Sequence, residues 1–315
     1  MDKKVRDVVM IGAGPSALAA AVYTTREDID TVLYEKGVIG GLAAITDQID
    51  NYPGFPDGIP GMTLADQLQK QAERFGANID FGDVSTIRDN GDTKTVVVDD
   101  VEVEAKTVLI ATGSDYNKLG IPGEVEYYGR GVHYCATCDG AFYRNKRLVV
   151  VGGGNSAVQE AIFLTRFTSH IDLLVRSTIK ASEVLQHDLQ KFVDEGKITV
   201  HLQTTTEEIV AVENKVREVK AIKDGAPVSF ETDGVFVFVG LKPNTQFLEG
   251  TGIELDEYGL VKTDHHLATN MPGVFASGDV RSGATMQIAS AVGEGATAAL
   301  SIREYLDKMR HEGQN

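Results

Sequence analysis

Cysteine is scarce in this chain: of 315 residues only Cys135 and Cys138 are cysteines. A scaffold stapled for an oxidising medium uses more, spaced to join distant segments, so the pair fits a reducing cytoplasm and either redox or metal chemistry. Basic residues are the minority, 30 against 46 acidic ones, and a formal net charge of −16 repels polyanions, which argues against nucleic acid as a partner. No apolar run approaches the length that spans a bilayer, so no membrane partner is expected. Met1-Asp2-Lys3-Lys4 leads straight into a strand-like stretch, and no signal peptide is expected. What is present is an ordinary globular mixture, 42% hydrophobic and 24% charged, long enough for two domains.

Residues 5–11 read as a buried parallel strand, 16–26 as an alanine-rich helix and 31–34 as a second strand ending at Glu35. A Gly- and Pro-rich loop over 37–61, a helical pattern over 63–75 and alternating stretches at 84–88 and 93–98 follow, the last two reading as an antiparallel insert. The apolar run 108–111 enters Thr112-Gly113. The plan then repeats, with a strand at 147–151, a helix at 156–165, a strand at 171–175, short strands near 198–202, 207–213 and 216–223, and a buried run ending at Gly240. Residues 275–279 read as a short strand into a turn and 287–309 as a long helix. The expected fold is α/β, with two Rossmann-like dinucleotide-binding domains of the three-layer ββα kind, the second inserted in the first. The first would comprise residues 1–115 and 246–315, the second 116–245.

Each repeat opens on the same glycine spacing. Gly12-Ala13-Gly14-Pro15-Ser16-Ala17 follows the first strand, and Gly152-Gly153-Gly154-Asn155-Ser156-Ala157 follows the strand at 147–151. The first glycine of such a cluster permits a tight turn and the second lets backbone approach a pyrophosphate. The small last residue allows close helix–strand packing, while the helix N-terminus offers free N–H groups to the phosphates. The second strands then diverge. The first ends in Glu35, whose carboxylate suits the ribose hydroxyls of FAD or NAD; the second ends in Val175-Arg176, with Lys180 close behind. Arg176 and Lys180 either read a 2′-phosphate, favouring NADP, or are solvated cations at a strand end.

Between the clusters lies Cys135-Ala136-Thr137-Cys138-Asp139. A zinc site would need two further thiolates or imidazoles, and the seven histidines offer no paired ligands beyond His265-His266. A redox pair is the stronger reading. Asp139 is placed either to exchange a proton with a thiol or to cap a turn. His133, two before Cys135, is either a base or a packing residue. Arg130, Arg144, Lys146 and Arg147 form either a docking patch for a protein or ordinary surface charge.

With both glycine clusters, the dithiol between them and the Gly278-Asp279 turn, the chain resembles the bacterial and archaeal thioredoxin reductases, small flavoprotein disulfide reductases, over residues 5–308. The resemblance implies FAD along Gly12, Gly14, Pro15, Ser16 and Ala17, then Tyr34, Glu35 and Lys36. It adds Gly40, Gly41, Leu42 and Asn51 along the flavin, Val84 also on the FAD, Ala111, Thr112 and Gly113 at the strand exit, and Gly278, Asp279, Gln287, Ile288 and Ala289 near the ribityl chain and ring. It places NADPH on Gly152, Gly154, Asn155, Ser156, Ala157, Arg176 and Lys180. It makes Cys138 the thiol facing the flavin, Cys135 the one that attacks a partner disulfide and Asp139 the proton-handling acid. It also implies thioredoxin or a similar dithiol protein as partner, a homodimer and a rotation of the second domain. The chain departs from the family pattern at Leu42, at Asn155 and at Val175-Arg176-Ser177, where the family has glutamine, an acid and a His-Arg-Arg run. Reduced ferredoxin or NADH as donor, another disulfide partner, and a flavin redox sensor of low turnover are the competing readings.

Overall fold

The structure, a computed structural model, describes residues 4–46 and 48–312; Met1 to Lys3, where the direct entry into a strand was expected, lie outside the described residues. In chain order the elements begin β1 (Arg6–Ile11), α1 (Pro15–Thr25), β2 (Thr31–Glu35), α2 (Gly41–Ala44), α3 (Gly61–Arg74), β3 (Asn78–Phe81), β4 (Val84–Asp89), β5 (Lys94–Val98), β6 (Val101–Ile110) and β7 (Ser114–Tyr116). They continue β8 (Val132–His133), α4 (Ala136–Asp139), β9 (Arg147–Val151), α5 (Asn155–Leu164), β10 (His170–Leu174), α6 (Glu183–Asp194), β11 (Ile198–His201), β12 (Thr204–Val212), β13 (Lys215–Lys223) and β14 (Ala226–Glu231). The last are β15 (Gly234–Val237), β16 (Leu241–Pro243), β17 (Val274–Ala276) and α7 (Ile288–Glu312).

Two compact units result: Tyr116–Leu241 is one, and the chain before and after it is the other. In the outer unit β3, β2, β1 and β6 run parallel in that order, and β17 joins β6 in the same sense. The ten-residue β6 serves two sheets' worth of partners. Its first half pairs antiparallel with β5, and β5 with β4, while its buried second half pairs with β1 and β17. Val8, Met10, Leu33 and Leu109 on one face pack against α1 and α7, and Val9, Val32, Val108 and Val274 fill the other. Burial on both faces is why these strands read as unbroken apolar runs.

The inner unit repeats the plan. Its parallel sheet has the order β11-β10-β9-β15-β8, and β12, β13 and β14 make a separate antiparallel sheet. Of the three short strands expected near 198–202, 207–213 and 216–223, the first joins the parallel sheet, β11 pairing with β10 and Ile198 facing Ile171, whereas β12 and β13 pair antiparallel. Burial of Ile198 between that sheet and α6 decides the matter. In each unit the glycine turn is enforced by backbone crowding. Gly12 has φ +96°, and a Cβ there would stand 2.6 Å from the Ala111 carbonyl oxygen; Gly152 has φ +143°, with the Phe238 carbonyl oxygen at 2.3 Å. No side chain other than hydrogen fits either turn.

Candidate active site

In the outer unit the sequence-predicted FAD residues gather around the start of α1. Pro15 opens the helix at its first turn, and Gly14, as N-cap, supplies no side-chain bond. The first-turn N–H groups therefore remain available, and a Cβ on Gly14 would meet nothing within 4 Å. Ser16 is buried and its hydroxyl lies 2.7 Å from that of Ser277, which ties the helix start to the Gly278-Asp279 turn. Ala17 is wholly buried under the sheet. Gly40 donates to the Ala13 carbonyl, and Gly41 approaches Gly14 closely enough that its added Cβ would stand 3.9 Å from the Gly14 Cα. Leu42 sits in α2 and Asn51 Nδ2 donates to Gln287 Oε1 at 3.1 Å, joining two segments far apart in the chain. Ile288 and Ala289 are the first residues of α7.

A cavity of about 340 Å³ opens beside this turn. Gly12, Tyr34, Glu35, Lys36, Val84 and Thr112 line it. So do Asn244, Gln246 and Phe247, which sequence reasoning missed. Asn244 is fixed there by two bonds: Thr112 Oγ1 donates to its carbonyl oxygen at 2.8 Å, and its Nδ2 donates to the Thr112 carbonyl at 3.0 Å. Its own N–H donates to the Gly113 carbonyl, next to Ala111 at the end of the buried run. Glu35 accepts the Ala13 N–H on one oxygen and the Gly37 N–H on the other, at 2.8 and 2.7 Å. These bonds aim the carboxylate, and each oxygen keeps a further lone pair for a ribose hydroxyl.

Asp279 contributes differently. Its backbone carbonyl accepts from the Ser114 hydroxyl at 2.6 Å, but its carboxyl makes no hydrogen bond to the described residues. Burial, and then the nearby Glu294 charge, push it up to about 6. Glu294 itself is engaged by Arg281 Nε and Nη2 and by the Gly278 N–H. A half-buried carboxyl with no hydrogen bond among the described residues on one side of the α1 start, and a cavity of nucleoside size beside Glu35 on the other, together make the arrangement that a dinucleotide completes.

In the inner unit, α5 likewise starts without a side-chain cap at Gly154. Gly154, Asn155 and Ser156 are exposed and Ala157 is buried, as a cofactor-facing turn requires. Asn155 Oδ1 is committed to the Ser182 N–H at 2.8 Å. Lys180 donates its backbone N–H to the Gly153 carbonyl, which folds the segment after Arg176 over the glycine turn. Arg176 is exposed and has no ion pair among the described residues. Of the basic residues near the dithiol, Arg147 is turned to Asp172 at 3.1 Å, Arg144 lies over Phe167 and Lys146 over Tyr143.

Cys135 and Cys138 form a disulfide across one turn of α4. Cys135 caps that helix, its Sγ accepting the Cys138 N–H at 3.2 Å, and Asp139 closes the same turn. The Asp139 Oδ2 lies 3.1 Å from Nδ1 of His133, whose Nε2 lies 2.7 Å from the Tyr143 hydroxyl. Burial, reinforced by the Asp139 and Asp233 charges, raises the Tyr143 hydroxyl well above its ordinary value, so it stays protonated and donates to Nε2. A neutral imidazole then carries its proton on Nδ1, facing the Asp139 carboxylate.

Residues 6–295 match the family of pyridine nucleotide-disulphide oxidoreductases. The chain belongs to that family. It is 42% identical over 312 residues to a thioredoxin reductase of Listeria innocua, covering 98% of this chain and 96% of that one. It is 39% identical over 312 residues to a thioredoxin reductase of Bacillus subtilis, covering 98% and 97%. Its fold superposes on the crystal structure of thioredoxin reductase from Streptococcus pyogenes with a TM-score of 0.91 at 39% identity, over 96% of this chain and 99% of that one. This pyridine nucleotide-disulphide oxidoreductase acts on disulfides through a flavin, and the thioredoxin reductases of the family use FAD and NADPH. A low-turnover sensor and a ferredoxin-fed relay find no support among these relatives. Among the described residues no helix is long and apolar enough to cross a membrane.

Proposed function

We propose that the chain is an NADPH-dependent thioredoxin-disulfide reductase, working as a cytoplasmic homodimer. The observation that carries the reading is the Cys135–Cys138 disulfide, set in a one-turn helix with Asp139 beside it, on a unit that also bears an uncapped glycine turn. In this reading the outer unit, residues 1–115 and 242–315, forms the FAD-binding domain, four residues more than the 246–315 expected, and Tyr116–Leu241 the NADPH-binding domain. The start of α1 and Gly14 receive the pyrophosphate, Glu35 the adenosine ribose and Asp279 a ribityl hydroxyl. Ser156 and the α5 N-terminus receive the nicotinamide cofactor's pyrophosphate, and Arg176 with Lys180 its 2′-phosphate. The chemistry FAD supplies when bound is two-electron transfer from a nicotinamide to a disulfide.

The chain's own part at sulfur follows from thiol chemistry. Once reduced, Cys135, as helix cap, offers a thiolate to the partner, and Cys138 closes the disulfide behind it. Asp139 holds the proton that the departing sulfur needs.

The test is an anaerobic series. Purified protein is expected to be yellow, to bleach fully on NADPH and to reduce thioredoxin; Cys138→Ser is expected to bleach as before with no thioredoxin reduced. Protein that cannot take up FAD, or a Cys138→Ser variant that still turns over, would remove the reading. Bleaching by NADH or reduced ferredoxin but not by NADPH would move the donor assignment.

A further inference from the structure

The Asp139 carboxylate has one polar side-chain neighbour: no group other than the His133 imidazole pairs with it among the described residues. That imidazole is itself held on every side. It is 5% exposed and stands on the two-residue strand β8, beside its register partner Phe236 on β15. The Phe236 ring stacks on it at 5.0 Å, and the Tyr143 ring meets it edge-on at 5.4 Å. Stacking sets the plane of the imidazole, and the Tyr143 hydroxyl at Nε2 sets its rotation within that plane. Nδ1 then lies 3.1 Å from the Oδ2 of Asp139, which is next in sequence to Cys138. A histidine kept for packing alone gains nothing from a polar group beside each ring nitrogen at a position that an apolar residue would fill; burying it unpaired would be costly.

We propose that His133 is a positioning residue for disulfide exchange: its Nδ1–H holds the Asp139 carboxyl group beside the dithiol, and Tyr143 holds the imidazole. The inference rests on the disulfide-reductase reading above. In the exchange the Cys135–Cys138 dithiol is oxidised to the disulfide while the partner disulfide is reduced to two thiols. One S–S bond forms as the other breaks, and two electrons and two protons pass to the partner. Proton delivery to the first departing sulfur requires a carboxyl group in a fixed place, and a short side chain at the edge of solvent does not stay fixed alone.

Amide substitutions separate the two ring nitrogens. His133→Asn keeps a donor near the place of Nδ1 and His133→Gln one near the place of Nε2. Prereduced holoenzyme is mixed with an excess of oxidised recombinant bacterial thioredoxin and a single turnover is followed by thioredoxin fluorescence. His133→Gln is expected to lose at least tenfold in limiting rate, with the half-saturating thioredoxin concentration changed less than twofold. His133→Asn is expected to stay within threefold of the parent. Alkylation of the reduced cysteines by iodoacetamide, which needs no delivered proton, is expected to stay within twofold in both.

Tyr143→Phe, which keeps the ring and loses only the hydroxyl, is expected to fall two- to fivefold and decides the matter if His133→Gln does not retain flavin. An unchanged limiting rate in His133→Gln or, failing that variant, in Tyr143→Phe overturns the inference. So does an equal loss in His133→Asn and His133→Gln, or an alkylation rate that falls in step with thioredoxin reduction. Parent protein inert toward thioredoxin removes the reductase reading and this inference with it, whereas an active parent with an equally active His133→Gln removes the inference alone.

Discussion

At the scale of single residues, Asp279 carries a measurable signature. Its folded value near 6 lies above the ordinary carboxylate range because burial, first, and Glu294, second, disfavour its charge. Between about pH 4 and 6 the folded state of the flavin-free protein therefore binds a proton that the unfolded chain has already released. The sign is unfavourable at neutral pH: stability contributed by this group falls as pH rises through that window. Asp279→Asn is expected to raise the unfolding free energy of stripped protein at pH 7 by about 2 kcal/mol and to leave it little changed at pH 4. Urea unfolding at both pH values checks this, and an equal effect at both would show the carboxyl to be unstrained. In FAD-loaded protein the same substitution is expected to weaken flavin retention, because the carboxyl, without a hydrogen bond among the described residues, is left to accept from the flavin's hydroxyls.

Elements carry the next level of consequence. Helices α1 and α7 cross at Gly295, where an added Cβ would stand 2.1 Å from the Ser16 carbonyl oxygen. Backbone cannot yield as a side chain does, so Gly295→Ala is expected to force the helices apart at a cost of about 1–3 kcal/mol. A lowered thermal midpoint together with faster flavin loss is the expected readout, since Ser16 also anchors the Ser277 turn. On the inner unit, Arg176 is an exposed cation with no ion pair among the described residues, two residues past the end of β10. Arg176→Ala is expected to raise the KM for NADPH about tenfold, a loss of roughly 1.5 kcal/mol for one charge-assisted phosphate contact, and to change that for NADH less than twofold. Parallel changes for both nucleotides would mean that Arg176 does not face a 2′-phosphate.

For the whole molecule, each unit is built on one parallel sheet with helices packed on it and one antiparallel group, and the chain passes between the units twice, at Asp115–Tyr116 and Leu241–Lys242. A chain of 33.9 kDa working as a homodimer is expected to sediment at close to twice that mass. Sedimentation equilibrium over a hundredfold range of concentration checks it, and a single species at the chain mass would exclude the dimer. Acidic composition fits a partner with a complementary basic face, and thioredoxin reduction is expected to slow as salt rises.

Much of this was legible along the chain because it is local. A glycine turn after an apolar run and before an alanine-rich stretch dictates strand, turn and helix through backbone sterics alone, and it does so at Gly12 and again at Gly152. The Cys-x-x-Cys spacing dictates that two sulfurs share one turn. Two elements went unread: β3, which is almost wholly exposed and shows no apolar period, and α6, whose Leu185, Leu189, Phe192 and Val193 pack on the inner core. Only the tertiary structure brought Asn244 to Thr112, 132 residues away, spent the first lone pairs of Glu35 on backbone N–H groups, left Asp279 unpartnered and set His133 against Asp139. Short-range sterics act on neighbours in sequence, whereas the aim of a polar side chain depends on which distant groups the packed core carries to it.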